Sequence, residues 1–366
     1  MRRLLACLCF LFFFHPAWTQ PQEGQTCDLR ISLLTCTPGE ELYSVFGHTA
    51  IRVTDTQGDW VFNYGTFDFN EPDFYLKFVR GKLNYFLSIE RFSDFVAAYT
   101  YEKRGITEQV LALSCAQKQT LFQALAANAE GEHKFYKYDF LFDNCTTRAG
   151  VKIKKLDERI ATHSILSSPA PTFRNLLHEY LAKGQQPWSQ LGIDLLLGSR
   201  IDRPVNNEEA QFLPEYLLQG IDSSFYGGQA LVLSKKTILQ QTFQPEPVLL
   251  SPFLVFSMLV LLLLVVSYYP RNSWQVLRKR MDQMLFSLTG LLGFLLVFMW
   301  WGTDHASCRD NYNLLWALPL NLPVIWLRPS RFKHTYFAVY GGIQLIVLVS
   351  WLWLPQEFNL ALIPWI

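Results

Sequence analysis

The sequence lacks several features that would point to common functional classes. Neither sign of charge dominates, because 32 lysines and arginines face 31 aspartates and glutamates among 366 residues. Binding through a phosphate backbone usually needs an excess of positive charge, so we predict no nucleic-acid partner. Cysteine is also scarce, and no two of the seven cysteines have zinc-finger spacing. We therefore predict neither a structural metal nor a cofactor.

Long apolar runs are absent from residues 20–250, whereas most of residues 251–366 is apolar. The first region is predicted to be an ordinary soluble domain and the second a membrane domain. Pro245, Pro247 and Pro252 predict a stiff linker between them. The predicted units are a signal peptide (1–19), a soluble domain (20–240), the linker (241–252), a transmembrane domain (253–354) and a tail (355–366).

The N-terminus has the composition of a secretory signal peptide. Arg2 and Arg3 precede an apolar stretch at residues 4–14, and Ala17-Trp18-Thr19 offers an imperfect cleavage site. Eleven apolar residues are too few to cross a bilayer, which argues against an uncleaved membrane helix. The soluble domain is therefore expected outside the cytoplasm.

Removal of the signal peptide leaves an odd number of cysteines in an oxidising compartment: Cys27, Cys36, Cys115, Cys145 and Cys308. We expect one or two disulfides, with Cys36–Cys115 as the preferred pair. The cysteine that is left over should then be the reactive thiol.

Four stretches of the C-terminal region are candidate membrane spans, at residues 253–269, 284–301, 312–327 and 336–354. The third is interrupted by Pro319 and Pro323 and is the weakest of them. Two loops carry the basic residues Arg271, Arg278, Lys279, Arg280, Arg328, Arg331 and Lys333. The positive-inside rule places both loops in the cytoplasm and the soluble domain outside, in agreement with the signal peptide.

Periodicity and turn residues predict a mixed α and β soluble domain. Strands are expected at residues 29–34, 49–54, 60–64, 82–89 and 106–113. Helices are expected at residues 92–101, 116–128, 145–156, 172–182 and 188–197. The last helix carries five closely spaced leucines and isoleucines, which are predicted to be core, with an acyl-chain groove or a lipid-facing surface as the alternative.

One cysteine has the surroundings of a nucleophile. Cys145 begins a predicted helix and has Asp143, Asn144 and two threonines as neighbours. The free backbone N–H groups and the positive end of the helix dipole favour the thiolate there. A lone cysteine is more often a small buried residue, but this polar rim is unlike a core site.

A histidine that can act as the base precedes it in the chain. His48 opens a predicted strand, where its imidazole would be held rigidly beside the thiol. We choose Asn63 on the next strand as the residue that orients the imidazole, with Asp59 as second choice. The backbone N–H of Cys145 and the side chain of Asn144 are the predicted oxyanion donors.

The short loop at residues 302–311 lies on the same side of the membrane as the soluble domain in this topology. It is either a solvated connection or a site that binds a phospholipid headgroup or an amine acceptor. The predicted substrate-binding residues are Asn144, Arg148, Asp304, His305 and Asn311.

The order of histidine on an early strand and cysteine on a later helix resembles the permuted papain-like (NlpC/P60-type) thiol hydrolases and transacylases. The segments at residues 41–48, 63–69 and 138–148 more closely resemble the Lnb-type periplasmic domain of bacterial lipoprotein N-acyltransferases. The membrane segments Gly302-Thr303-Asp304-His305 and 311–319 are similar to that family as well. The wider superfamily often uses a second histidine, which is missing from the strand after His48.

This resemblance implies an α+β papain-like periplasmic domain followed by four transmembrane helices in the bacterial inner membrane. It implies that Cys145 is the nucleophile and His48 the base of an acyl transfer. The donor would be a membrane phospholipid, and the acceptor the N-terminal amine of a diacylglyceryl-cysteine apolipoprotein.

Two alternatives stay open from the sequence. The first is a membrane-anchored peptidoglycan endopeptidase that uses the same cysteine and histidine on an amide. The second is a scaffold that binds lipid or lipoprotein without catalysis and has Cys145 in a disulfide.

Overall fold

The computed structural model describes residues 27–268 and 272–366, and the predicted signal peptide lies outside the described residues. The strands are β1 (Arg30–Cys36), β2 (His48–Thr54), β3 (Asp59–Thr66), β4 (Asn84–Arg91), β5 (Ile106–Leu111), β6 (Phe135–Lys137), β7 (Ala161–Thr162), β8 (Ser224–Tyr226), β9 (Gln229–Ala230) and β10 (Val232–Leu239). The helices of the first domain are α1 (Phe74–Val79), α2 (Phe92–Tyr101), α3 (Cys115–Ala129), α4 (Cys145–Lys154), α5 (Phe173–Lys183), α6 (Pro187–Leu196) and α7 (Pro214–Asp222). The C-terminal helices are α8 (Pro252–Tyr268), α9 (Asn272–Trp301), α10 (Asn321–Trp326) and α11 (Arg331–Ser350).

An antiparallel sheet forms the centre of the first domain. Its order within the described residues is β10-β5-β1-β2-β3-β4-β6. β1 is a middle strand, and six of its seven residues are buried. Both of its faces are covered by protein, so buried and exposed residues do not alternate along it. Its register with β2 pairs Cys36 with His48, which fixes the histidine at the start of its strand.

Helices cover both faces of this sheet. Phe95 and Tyr99 of α2 pack on one face. Leu121 of α3, Ile153 of α4 and Leu217 of α7 pack on the other. Because α4 lies against β2 and β3, its first residue is placed near the beginning of β2.

The predicted strands and helices of this domain are present, with ends shifted by no more than two residues. Helix 92–101 has the predicted bounds. The helix α1, the helix α7 and the edge strand β10 were not predicted from the sequence.

The predicted Cys36–Cys115 disulfide is wrong, because the bond joins Cys27 to Cys115. The antiparallel register of β1 and β5 explains the error. Cys36 lies opposite Ile106, at the beginning of β5, whereas Cys115 follows the end of β5. That end is next to the start of β1, close to Cys27, and Cys36 is a buried free thiol.

Two C-terminal helices, Trp274–Trp301 and Arg331–Ser350, are long and apolar enough to cross a membrane. Pro252–Tyr268 is an apolar helix of 17 residues. The predicted tail at 355–366 packs against this region, since Phe358, Ala361 and Leu362 are buried with residues of α9 and α11.

The third candidate span, at residues 312–327, is broken and does not form one continuous helix. Residues 312–327 form a short 3₁₀ turn (Tyr312–Leu315) and the six-residue α10, separated around Pro319, which has no N–H to continue a helix. The segment runs antiparallel to α11, with Tyr340 bonded to the carbonyl of Trp316 and Tyr336 to Asn321. Irregular backbone of this kind is stable at membrane depth only where protein covers it. The papain-like fold and the count of four crossings stay predictions.

The leucine-rich helix α6 lies where the two domains meet. Leu191 is buried against Leu296 and Trp316 of the C-terminal region, so part of the patch is core. Ile193, Leu196 and Leu197 line a cleft that is described below. The two predicted roles of this helix, core and apolar groove, therefore apply to different residues of it.

Candidate active site

Cys145 is the first residue of α4, and the residue before it caps the helix. The Asn144 side chain accepts hydrogen bonds from the N–H groups of Thr146 and Thr147, each at 2.8 Å. Thr147 in turn accepts from the Asn144 N–H at 2.8 Å, which completes a capping box. Among the described residues, the N–H of Cys145 itself has no hydrogen-bond partner. It is therefore free to bind an anionic oxygen next to the thiol.

His48 reaches the thiol from the start of β2. Its Nε2 lies 3.1 Å from Oδ1 of Asn63, and the imidazole lies close enough to the Cys145 thiol for each group to shift the pKa of the other. Because Asn63 occupies Nε2, Nδ1 is the nitrogen left for the sulfur. The Thr146 hydroxyl lies 3.7 Å from the sulfur and bonds to the Thr49 hydroxyl at 3.1 Å. These contacts hold strand β2 against helix α4 beside the Cys145 sulfur.

Gly47 explains how the chain delivers His48 at this point. Its φ of +80° is in the left-handed region, and a Cβ there would lie 2.7 Å from the carbonyl oxygen of Cys36. Only glycine combines this conformation with so close an approach to β1. The Gly47-His48 pair is therefore a structural requirement of the turn into β2.

The structure adds a fourth residue that sequence reasoning missed. The Asn63 Nδ2 donates to Oε1 of Glu90 at 2.8 Å, from the neighbouring strand β4. This bond fixes the amide so that Oδ1, an acceptor, faces His48. Nε2 of His48 therefore carries a proton in both charge states of the ring, and Nδ1 is the nitrogen that can exchange a proton with Cys145. The Asn63↔Ser88 register places Glu90 two residues along β4, and no motif in the sequence signals that pairing.

The two reactive groups change each other's pKa. Burial alone would raise the pKa of the Cys145 thiol, but the charge of His48 and the hydrogen bonds from His48, Thr49 and Thr146 lower it from 9.0 to about 7. Burial opposes a charge on His48, yet the Cys145 charge and the bonds to Cys145 and Asn63 raise the pKa of its imidazole. Both shifts favour the thiolate form of Cys145 and the imidazolium form of His48.

The other free thiols of the described chain provide a comparison. Burial raises the pKa of Cys36 and of Cys308 to about 12 in each case. Cys308 also lines the cleft next to Cys145. Lining the cleft is therefore not enough to lower the pKa of a thiol. Cys145 differs from Cys308 because it lies beside the His48 imidazole.

Cys145 and His48 open into a cleft of about 920 Å³ between the first domain and the loop that follows α9. Its walls are mostly apolar and comprise Phe67, Phe74, Phe78, Tyr85, Ile193, Leu196 and Leu197. Asp304 and His305, two of the predicted substrate-binding residues, lie on the membrane-domain side of this cleft. The cleft therefore joins the thiol to the place where the chain leaves the membrane helices.

Three predicted substrate-binding residues have other roles. The Asn144 side chain is 3% exposed and uses both Nδ2 hydrogens on the carbonyls of Phe140 and Phe212, so it cannot serve as the predicted oxyanion donor. Arg148 pairs with Asp143 at 2.6 Å and lies over the Tyr136 ring, away from the cleft. Asn311 is buried and holds the carbonyls of Leu195 and Leu196.

Asp59, the second choice for orienting the imidazole, lies elsewhere as well. It begins β3 and binds Arg52 at 2.6 Å. Asn63 is the residue that contacts His48. Within the described ranges, no three His, Cys, Asp or Glu side chains are grouped so that they could hold a metal ion.

Comparison with known families matches both parts of the chain. The Lnb N-terminal periplasmic domain matches residues 16–179, and the Lnb transmembrane domain matches residues 244–366. No curated protein and no solved structure matches the chain. His48, Asn63, Glu90 and Cys145 fall within the first matched range, and Asp304 and His305 within the second. The thiol and the loop that faces it across the cleft thus fall in the two domains of one family, and the wall residues Ile193, Leu196 and Leu197 lie between the two matched ranges.

Proposed function

The chain belongs to the Lnb family and is a membrane protein with a periplasmic domain, and from that premise we propose that it is a lipoprotein N-acyltransferase. It would move an acyl chain from a membrane phospholipid to the N-terminal amine of a diacylglyceryl-cysteine apolipoprotein. The observation that carries the proposal is the Cys145 thiol beside His48, which hydrogen bonds to Asn63 and from there to Glu90 hold in place, at the edge of an apolar cleft beside the membrane domain.

In the first step the Cys145 thiolate attacks an ester carbonyl of the phospholipid. The C–S bond forms and the C–O bond breaks, and the His48 imidazolium gives its proton to the leaving oxygen. The products are an acyl-thioester enzyme and a lysophospholipid. The free N–H of Cys145 is placed to stabilise the oxyanion that forms at the carbonyl.

In the second step the neutral α-amine of the apolipoprotein attacks the thioester. The C–N bond forms, the C–S bond breaks, and His48 accepts the proton that the nitrogen loses. This restores the thiolate and imidazolium pair. Thioesters react readily with amines, and the apolar lining supports transfer over hydrolysis because it excludes water.

The membrane-domain side of the cleft supplies groups suited to the acceptor. The Asp304 carboxylate is exposed and lines the cleft, where it can hold an ammonium group before deprotonation. His305 donates Nε2–H to the carbonyls of Phe78 and Val79, at 3.2 and 3.1 Å. In the proposed mechanism Asp304 binds the acceptor and His305 positions the loop.

We place the transmembrane domain in the bacterial inner membrane, with residues 302–311 on the periplasmic side. Arg278 lies in the first two turns of α9 and Arg328 precedes α11, and the basic residues around them support that orientation. The broken segment at residues 312–327 would be the fourth crossing, covered by α9 and α11.

Two observations bear on the alternatives. Cys145 is a free thiol, which removes the disulfide on which the scaffold hypothesis relied. The aromatic and leucine walls of the cleft suit an acyl chain better than the polar peptides of a cell wall. Acyl transfer is therefore the function that we propose.

The test uses the full-length protein in detergent or nanodiscs. Phospholipid alone should add one acyl mass to the intact protein, which hydroxylamine removes, and a diacylated lipopeptide should then gain that acyl chain. Cys145→Ala should abolish both products. Cys308→Ala is the matched control, since it removes another thiol of the same cleft, and it should retain both. Cleaved muropeptides without acyl transfer would support the endopeptidase instead.

A further inference from the structure

The helix α1 exposes an unusual set of apolar side chains. Tyr75 is 79% exposed, Leu76 56% and Phe78 51%, and Phe69 just before the helix is 69% exposed. Scattered single apolar residues are normal on a protein surface, but a contiguous group of this kind marks a binding surface. We call the segment at residues 69–79 the lip.

The lip is attached to the membrane domain by its backbone. The Asp304 N–H donates to the carbonyl of Arg80 at 3.0 Å, and His305 donates to the carbonyls at the end of α1. A Schellman motif ends the helix here, with Gly81 bonded to Phe78 and Lys82 to Lys77. Gly81 has a φ of +67°, and its missing side chain leaves room for His305 and Asp304.

This attachment fixes the lip at the level where α9 leaves the membrane. α9 ends at Trp301, three residues before Asp304, and Trp300 and Trp301 stack on each other at its end. Tryptophans at a helix end are typical of the interface between hydrocarbon and water. The lip therefore lies beside the periplasmic surface of the bilayer that the C-terminal helices enter.

The lip is also continuous with the cleft of the candidate active site. Phe74 is buried against Phe67, and Phe69, Phe74, Tyr75 and Phe78 all line the cleft. The same short segment thus presents apolar side chains both to the outside and towards the thiol. Arg80 and Lys82 follow it as exposed cations, which suit phospholipid phosphates.

We propose that the lip inserts into the periplasmic leaflet and contacts phospholipid acyl chains, so that it forms the edge over which a lipid enters the cleft. The partner is the bilayer itself and not another protein. The membrane contact goes beyond the proposed reaction and does not depend on it.

Site-specific labelling tests the membrane contact without any activity. Within the described residues 27–268 and 272–366, a Cys145→Ala background leaves only the buried free thiols Cys36 and Cys308, so Tyr75→Cys or Leu76→Cys can be labelled with an environment-sensitive fluorophore. Tyr101→Cys, at the end of α2 and 89% exposed, is the matched control. The protein is reconstituted in phosphatidylethanolamine and phosphatidylglycerol vesicles with or without spin-labelled acyl chains.

The lip labels should be blue-shifted and quenched at least ~2-fold by the spin-labelled lipid, whereas the label at residue 101 should be unaffected. Equal emission and equal quenching at the lip and at residue 101 would overturn the proposal. Protection of the lip label without quenching by lipid, such as a second copy or a protein partner would give, would overturn it as well.

A second experiment separates the lip from the chemistry. The double variant Leu76→Asp, Val79→Asp changes two exposed lip residues that do not line the cleft. It should load acyl groups from vesicle phospholipid at least ~5-fold more slowly, because the charged side chains resist insertion. Its Cys145 should react with iodoacetamide at the unaltered rate, and Tyr101→Asp should change neither value. Unaltered loading by the double variant would contradict a role of the lip in lipid entry. Absence of loading in the wild-type protein would instead contradict the proposed function and leave the labelling result standing.

Discussion

Two buried polar networks in this protein use similar groups for different purposes. In the first domain, hydrogen bonds join His48, Asn63 and Glu90, and His48 lies beside Cys145 at the cleft. Between the domains, the fully buried Arg174 binds Asp194 at 2.8 Å and Asp202 at 2.7 Å. The first network ends at the N–H and the sulfur of Cys145, which remain able to bind or react with a further group.

The second network is closed on itself. Asp194 also accepts from His178 at 2.8 Å and from Asn359 of the C-terminal tail at 2.8 Å. The Nη2 group of Arg174 also donates to the carbonyls of Leu197 and Gly198, each at 3.1 Å. A satisfied network holds elements together, whereas an unsatisfied one can bind and react. The contrast predicts that changes in the first network alter rate and that changes in the second alter stability.

The largest effect is expected from His48→Ala. Without the base that shares a proton with Cys145, formation of the acyl-enzyme should slow on the order of 10³-fold. Intact-mass measurement of acyl loading against time gives the rate. His133→Ala, an exposed histidine after α3, should load normally, and normal loading by His48→Ala would exclude its role as base.

Arg174→Met should give the largest loss of stability. It leaves two carboxylates buried without their partner, which should lower the free energy of unfolding by about 3–5 kcal/mol. Denaturant titration in micelles measures the change, and acyl loading per folded molecule should stay near the parent value. Arg203→Met is the control, since that half-exposed arginine pairs with Glu209 and its loss should cost under about 1 kcal/mol. If Arg174→Met were stable but inactive, the assignment of rate to the first network and stability to the second would be wrong.

The pH dependence of Cys145 reactivity should separate the site from the other thiols. The pKa of about 7 predicts that iodoacetamide alkylation rises with pH through a midpoint near 7, because the thiolate is the nucleophile. In His48→Ala the midpoint should move up towards 9.0 as the stabilising charge is lost. Cys36 and Cys308 should stay unlabelled in the folded protein. An identical midpoint in both proteins would show that the imidazole does not tune the thiol.

Glu90 should have a smaller effect that acts through Asn63. Glu90→Ala leaves an amide donor unpaired and frees Asn63 to rotate, so acyl loading should fall ~10-fold. Glu90→Gln keeps an acceptor and should recover most of that loss. The alkylation midpoint of Cys145 should rise in the alanine variant only, a change that a purely structural residue would not cause.

The smallest effect is expected from Asn144→Ser. Serine still caps α4 but cannot reach the carbonyls of Phe140 and Phe212, so stability should fall by about 1 kcal/mol. The rate of acyl loading should be unchanged, because the side chain is a cap and not an oxyanion donor. A rate that fell ~100-fold at normal stability would restore the catalytic role predicted from the sequence.

Local signals explain why the main elements were predictable. The Asn144 cap begins its helix at the predicted residue, and the Ser114 cap begins its helix one residue before the predicted start. Alternating apolar residues identified β5, and a turn at residues 55–58 between two strand-like stretches identified β2 and β3. The helix α1 was missed because its exposed aromatic residues give no amphipathic pattern.

Partners far apart in the chain could not be predicted in the same way. Glu90 reaches Asn63 through strand register, and Cys115 reaches Cys27 through the register of β1 and β5. Asn144 and Asn311 looked like polar site residues, but each is buried and occupied by backbone carbonyls. Whether a polar side chain is free depends on neighbours that only packing supplies.

The sequence alone determined that a cysteine begins a helix, that a histidine begins a strand, and that the C-terminal region has the apolar stretches of a membrane domain. Those properties depend on capping, turn chemistry and hydropathy, which act over a few residues. The tertiary structure alone decided that the cysteine and the histidine touch, that Glu90 fixes their proton, and that the cleft lies beside α9. Those properties depend on strand register and domain packing, which bring together groups separated by tens to hundreds of residues.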